Sequence, residues 1–202
     1  MSGSLWLFSS NIERAAAFPR EIPPGIQSAI TGVGLVDAGV ATVELVRQYE
    51  PSEIVYFGTC GAYPGSGLEK GQIVAAGGVL LGSGDTQRGE MRIPKLLPSR
   101  LQCSTELTDR IIGGQEGIPT ADVVCTLGIT ENDHLAESLA ELGDVENLEL
   151  FSVLRAVGSL PVAALLGVTN RVGEGGGKDW LANYRTMMAR VVNTQLREIP
   201  GA

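Results

Sequence analysis

Residues 54–74 read IVYFGTCGAYPGSGLEKGQIV, and the rest of the chain is organised around them. The β-branched and aromatic run Ile54-Val55-Tyr56-Phe57 predicts a buried strand. It gives way to Gly58-Thr59-Cys60-Gly61, where glycine admits positive φ and lets a ligand approach bare backbone. Pro64-Gly65-Ser66-Gly67 is turn chemistry, and Gly71-Gln72-Ile73-Val74 opens another strand. A strand ending in a small, glycine-flanked loop is where α/β proteins bind ligands, but the same glycines suit an ordinary tight turn. The stretch alone leaves both readings open.

Upstream, Leu5-Trp6-Leu7-Phe8 predicts a buried first strand. Ser9-Ser10-Asn11 follows, suited to capping a helix whose first turn holds Glu13. Ile26–Ile30 predicts a second strand that ends in Thr31-Gly32-Val33-Gly34. From Leu35 to Tyr49 the spacing of Val36, Val40, Val43, Leu45 and Val46 is helical, and Pro51 prevents continuation. Downstream, Gln72–Leu81 predicts a strand with a bulge or close approach at Gly77-Gly78. Ser83–Pro98 is polar and turn-rich, a surface excursion from which Asp85 and Arg88 could face a pocket. Leu107–Ile112 predicts a helix stopped by Gly113-Gly114. Ala121–Leu127 predicts a strand leading to the turn Gly128-Ile129-Thr130. Helices are expected over Asp133–Leu142 and Leu148–Val157, then a strand over Pro161–Val168 that ends at Thr169-Asn170. The glycine-rich loop Gly173–Gly177 precedes a last helix, Asp179–Leu196. Phe151 and Trp180 read as core. Strands buried on both faces with helices between them predict an α/β fold: a single-domain mixed β-sheet flanked by helices, spanning residues 1–202.

Composition narrows the function. The 202 residues are 44% hydrophobic and 19% charged, which is a globular composition. Fifteen Lys and Arg against 23 Asp and Glu leave a net charge of −8, and the absence of basic clusters argues against a nucleic-acid surface. No apolar run is long enough to span a bilayer, and the N-terminus lacks a secretory pattern, so no membrane partner is expected. The three cysteines, Cys60, Cys103 and Cys125, include no C-x-x-C pair, and reduced thiols in a cytoplasmic protein are the plain expectation.

Two phosphate-binding patterns fail. Gly32-Val33-Gly34-Leu35-Val36-Asp37 puts Asp where a dinucleotide fingerprint needs its third glycine. Gly175-Gly176-Gly177-Lys178 is followed by Asp179, which cannot replace the Mg²⁺-binding hydroxyl of a P-loop. His134 is the only histidine. It sits at a polar helix start and reads as surface, so neither a metal site nor a serine triad is indicated.

Several stretches in register resemble the nucleoside phosphorylase/nucleosidase superfamily. Gly58-Thr59-Cys60-Gly61-Ala62, followed by Gly67-Leu68-x-x-Gly71-x-Ile73-Val74, is similar to that family's central glycine motif. Thr31-Gly32-Val33-Gly34 resembles its preceding element, Val145-Glu146-Asn147-Leu148-Glu149 its V-x-x-M-E segment, and Val168-Thr169-Asn170 its I-S-D or V-S-N segment. Glu13-Arg14 and Thr169-Asn170-Arg171-Val172-Gly173 with Trp180 are most similar to the futalosine hydrolases of menaquinone biosynthesis.

The resemblance implies a nucleoside phosphorylase-like fold, a small-molecule nucleoside substrate, no metal or organic cofactor, and a homo-oligomer. It places Glu149 at the ribose hydroxyls, Glu13 at the attacking water and Asn170 at the purine. Thr59, Cys60, Gly61, Ala62, Ile129 and Leu148 would line the pocket. Tyr56 stands where hexameric purine phosphorylases have a phosphate-binding Arg, which favours water over phosphate as nucleophile. Leu150-Phe151 departs from the small residues that usually follow the ribose-binding Glu. By residue type alone, Glu13 and Glu149 also suit ordinary helix starts, and Asn170 an ordinary turn.

Overall fold

Alternation of side chains along two neighbouring strands sorts the core into two layers. In the computed structural model, which describes residues 3–113 and 115–196, β1 (Ser4–Phe8) and β3 (Glu53–Ala62) pair in parallel with Trp6 opposite Val55 and Leu7 opposite Tyr56. Leu5, Leu7, Ile54 and Tyr56 face one layer; Trp6, Phe8, Val55 and Phe57 face the other. The second layer is aromatic at its centre, where the Trp6 and Phe57 rings lie 4.8 Å apart.

The remaining strands are β2 (Gln27–Ile30), β4 (Ile73–Leu81), β5 (Arg100–Gln102), β6 (Thr120–Cys125), β7 (Val145–Asn147) and β8 (Val162–Arg171). Their order is β2-β1-β3-β7-β6-β4-β5, and β8 pairs with both β3 and β4. The strands β3, β8, β4, β6 and β7 therefore close on themselves as a ring of mixed direction, from which β1 and β2 extend as a flat wing. β3 belongs to both parts. Its first half pairs with β1 and its last residues with β7 along the same edge.

Helices cover the sheet on both sides. On the aromatic side lie α1 (Asn11–Ala17), α4 (Thr105–Ile112) and α7 (Gly176–Leu196). On the other lie α2 (Leu35–Tyr49) and α6 (Leu150–Ala156), with Phe151 buried as expected. The remaining helices are α3 (Gly84–Gln87) and α5 (Asp133–Leu139). Side-chain caps start three of the seven: Ser10 accepts from the Glu13 amide, Ser104 from Leu107 and Asn132 from Leu135. Gly113 closes α4 in the left-handed region; Gly114 lies outside the described residues.

Several expectations need correction. β3 does not stop before Gly58: it runs on to Ala62, and neither Gly58 nor Gly61 has positive φ. These glycines make room rather than a turn. A Cβ on Gly58 would lie 2.9 Å from the Tyr56 ring, and one on Gly61 would lie 2.8 Å from Asn170 Nδ2. The expected bulge at Gly77-Gly78 is present, as a register shift between β4 and β6. Two short strands, β5 and β7, were not anticipated. On α2, Val36 and Val40 point outward, while Ala38 and Thr42 are buried. Gly176 and Gly177, expected in a loop, already form the first turn of α7. Asp85 and Arg88 pair with each other at the surface, with Glu90 beside them, and do not line the candidate site described below.

Candidate active site

The polar loops at the ends of β1, β2, β3 and β8 meet the Asn147–Glu149 segment around a cavity of about 300 Å³. Of the residues that the resemblance assigns, Glu13, Thr59, Cys60, Gly61, Ile129, Leu148, Glu149 and Asn170 line it. Ala62 does not. It is consumed in the sheet between Val145 and Arg171, and its carbonyl accepts from the Val172 amide at 2.9 Å.

Glu13 reaches the cavity because Ser10 caps α1 directly after β1, so that the helix's first turn faces the end of β3. Its side chain is buried, with one oxygen accepting from the Thr59 hydroxyl at 2.8 Å and the other from the Ser9 hydroxyl. Burial pushes its carboxyl above the ordinary range, against the opposing pull of the two hydroxyls.

Glu149 sits one residue before α6 and is equally buried. Gly34, at the start of α2, donates its N–H to Oε1 at 2.9 Å, and the Tyr56 hydroxyl donates to Oε2 at 3.2 Å. Burial, reinforced by the neighbouring Glu13 charge, lifts its carboxyl to about 7. Tyr56, wholly buried, is held far above its usual pKa and stays a donor. Asn147 fixes the backbone between these groups: it donates to the Thr59 carbonyl at 3.2 Å and accepts from the Glu149 and Leu150 amides at 3.0 and 2.9 Å.

Asn170 forms the wall next to α7. Its Nδ2 donates to the Arg171 carbonyl at 2.9 Å and its Oδ1 accepts from the Thr169 hydroxyl at 2.8 Å. One amide proton and one lone pair remain available to a ligand.

Two residues take a part at the cavity that the sequence reading did not assign them. Trp180, expected in the core, borders the cavity and donates its indole N–H to the Thr59 hydroxyl oxygen at 3.0 Å. Only the first turns of α7 folding back over β3 bring the two together, and nothing local in the sequence signals it. Glu146 is a buried carboxylate in β7 that collects the Thr130 amide at 3.1 Å, the Tyr63 hydroxyl at 3.1 Å, the Thr126 hydroxyl at 3.3 Å and the Thr130 hydroxyl. It ties down the loop that carries Ile129. The available signal was an acid between Val145 and Asn147, which in a buried strand needs donors.

The cavity lining contains no Lys, Arg or His among the described residues. His134 lies on the surface, 3.6 Å from Glu137. Of the three buried carboxylates at the cavity, Glu146 is taken up by the Ile129 loop, and Glu13 and Glu149 can accept hydrogen bonds from hydroxyls, take a proton from water and offset developing positive charge.

The same arrangement of strands and helices occurs in solved structures. A mutant of futalosine hydrolase from Helicobacter pylori aligns at TM-score 0.83 and 14% identity, over 98% of this chain and 100% of that one. The 5'-methylthioadenosine/S-adenosylhomocysteine nucleosidase of the same organism, with butyl-thio-DADMe-Immucillin-A, aligns at TM-score 0.83, 14% identity, and 98% and 99% coverage. The corresponding nucleosidase from Neisseria meningitidis, with methylthio-immucillin-A, aligns at TM-score 0.78, 16% identity, and 98% and 100% coverage. At such identities the likeness shows the fold. No sequence among curated proteins matches. The profile of the Phosphorylase superfamily matches residues 26–198, which takes in every cavity wall except the β1–α1 corner; with a fold shared by nucleosidases over nearly its whole length, the chain belongs to that superfamily.

Proposed function

We propose that the protein hydrolyses the N-glycosidic bond of a purine nucleoside with a 6-oxopurine base, of the futalosine or inosine kind. The observation that carries this reading is the pair of buried carboxylates, Glu13 and Glu149, on a cavity without a cationic side chain among its described lining. Cleavage makes the ribose oxocarbenium-like. Glu149 accepts from the ribose 2′- and 3′-hydroxyls and offsets that charge. Water held by Glu13 attacks C1′, its proton passes to the carboxylate, and the C1′–N9 electron pair leaves with the base. Asn170 gives its remaining amide proton to N7. Thr59, Cys60, Gly61, Leu148 and Ile129 form the walls. No metal or organic cofactor enters the scheme.

Water rather than phosphate is favoured because a phosphate beside these carboxylates would find no Lys or Arg partner in the described lining. A cytoplasmic homo-oligomer is part of the proposal. Exposed Ile12, Val33 and Ile129 at the cavity and Val36 and Val40 on α2 support self-association, which light scattering measures.

The test is base release from inosine and futalosine, with and without phosphate. Release independent of phosphate is expected, and strict phosphate dependence overturns the hydrolase reading. Thermal stabilisation by nucleosides with no base release from a broad panel would instead make the protein a nucleoside-binding relative without catalysis.

A further inference from the structure

Thr59 Oγ1 stands between Trp180 and Glu13: the indole N–H reaches it at 3.0 Å, and it reaches Glu13 Oε1 at 2.8 Å. A threonine hydroxyl has one proton to give, and an indole N–H can only donate. With Trp180 donating to the oxygen, the hydroxyl proton is directed to the carboxylate. Ser9 supplies the other Glu13 oxygen, so both are met by hydroxyl protons.

The indole itself is held rigidly. It stacks on Tyr184 at 4.7 Å and 13°, and the Arg185 guanidinium lies 5.6 Å from the Tyr184 ring centre. Other groups do not explain the arrangement. The titratable groups that sense Glu13 are Glu149 and Tyr56. Arg14, on the same helix, bonds Asn11, while Asp179 on α7 pairs with Lys70 at 3.0 Å and Lys178 is exposed.

We propose that Trp180 is a positioning residue for Glu13, fixing the Thr59 hydroxyl proton on the carboxylate so that Glu13 faces water ionised and in one orientation. The inference rests on Glu13 being the group that handles water, and it gives α7 a part in the chemistry beyond forming a wall. Removing the N–H frees the Thr59 hydroxyl to rotate, and Glu13 loses part of the stabilisation of its charged form.

The experiment has one arm that does not depend on turnover. The chain has two tryptophans, Trp6 in the core and Trp180. In ¹H–¹⁵N spectra the signal that disappears in Trp180→Phe is the Trp180 indole. Followed against pH, it is expected to shift as Glu13 titrates, to stay flat in Glu13→Gln and to shift still in Glu149→Gln. A flat signal in the wild type, or a shift that persists in Glu13→Gln, overturns the proposal whether or not any nucleoside is cleaved.

The second arm is kinetic. Trp180→Phe keeps the ring on Tyr184, and is expected to move the acid limb of kcat/KM up by about one pH unit, the size of one charge-assisted hydrogen bond. The fall is in kcat rather than KM. Thr59→Val should reproduce it, and the double variant should be no worse than either alone. A Trp180→Phe profile that overlays the wild type also overturns the proposal. Absence of base release in the wild type counts against the hydrolase reading and leaves the spectroscopic arm to decide this one.

Discussion

The Tyr56 hydroxyl and the Glu149 carboxylate are joined at 3.2 Å, linking the middle of β3 to the residue just before α6 from beneath the cavity. The phenol is a buried donor to Glu149 Oε2. Tyr56→Phe keeps the buried ring but strips Glu149 of this donor. Its carboxyl then titrates higher still, and kcat/KM falls about ten- to a hundredfold near neutrality, as expected for a lost hydrogen bond to a charged group. A pH–rate profile checks both effects, and an unchanged acid limb would separate Tyr56 from the chemistry.

Glu149→Gln tests the carboxylate itself. Turnover should drop about a hundred- to a thousandfold, the scale of a lost electrostatic contact with developing charge, while the far-ultraviolet circular dichroism spectrum stays the same. Undiminished base release would take Glu149 out of the site.

The same substitution has a thermodynamic signature. Burial holds the folded Glu149 carboxyl at about 7, against an ordinary value of 4.5. Between those values the folded state binds more protons than the unfolded chain, so this residue's contribution is full below about pH 4.5 and is lost as pH rises through 7. The loss is on the order of 3 kcal/mol, from the 1.4 kcal/mol that each pKa unit represents. Urea unfolding at pH 5 and pH 8 should show Glu149→Gln gaining on the wild type at the higher pH, and parallel behaviour would contradict it.

At Gly61 the expected cost is steric. An added methyl would meet Asn170 Nδ2 and Val172 Cγ2 at 2.8 Å. Gly61→Ala is expected to lose about 1–3 kcal/mol of stability by overpacking and to raise KM by displacing the Asn170 amide. Chemical denaturation and steady-state kinetics on one preparation test the two together.

Glu146 predicts a contrast between two substitutions. Glu146→Gln retains an acceptor for the Thr130 amide. Glu146→Ala abandons several buried donors and should cost about 1–3 kcal/mol, with looser substrate binding as the Ile129 loop detaches. Equal KM values for the two variants would show that the loop does not depend on this carboxylate.

Much of the fold was legible because long apolar periods survive local ambiguity. The strand cores at Leu5–Phe8, Ile54–Phe57 and Ala121–Cys125 and the bounds of α2 are clear from spacing. β5 and β7 are three residues each, too short to show a period of two, and β7 is buried at every position. At the cavity glycines the end of the strand was misplaced for a physical reason. Gly58 and Gly61 look like turn residues in sequence, but their lack of side chain serves Tyr56 and Asn170, neighbours that only the folded sheet brings close. Glu13 and Glu149 were visible as candidates from register with a family. Trp180 stood in the same register, but its bond to Thr59, 121 residues away, was not legible.

β3 changes partners partway along, from β1 to β7, while β8 holds its other edge. The wing and the ring are therefore joined through one continuous strand: β1 holds Glu53–Tyr56, β7 holds Gly61 and Ala62, and β8 runs beside both. The floor of the cavity lies in that shared segment. With partners on both edges of the strand, the amides of Gly58–Gly61 are expected to exchange with deuterium through global opening, which hydrogen-exchange measurements check. A ligand entering the cavity would meet a surface whose ordering was completed during folding, so little binding energy would be diverted to assembling it.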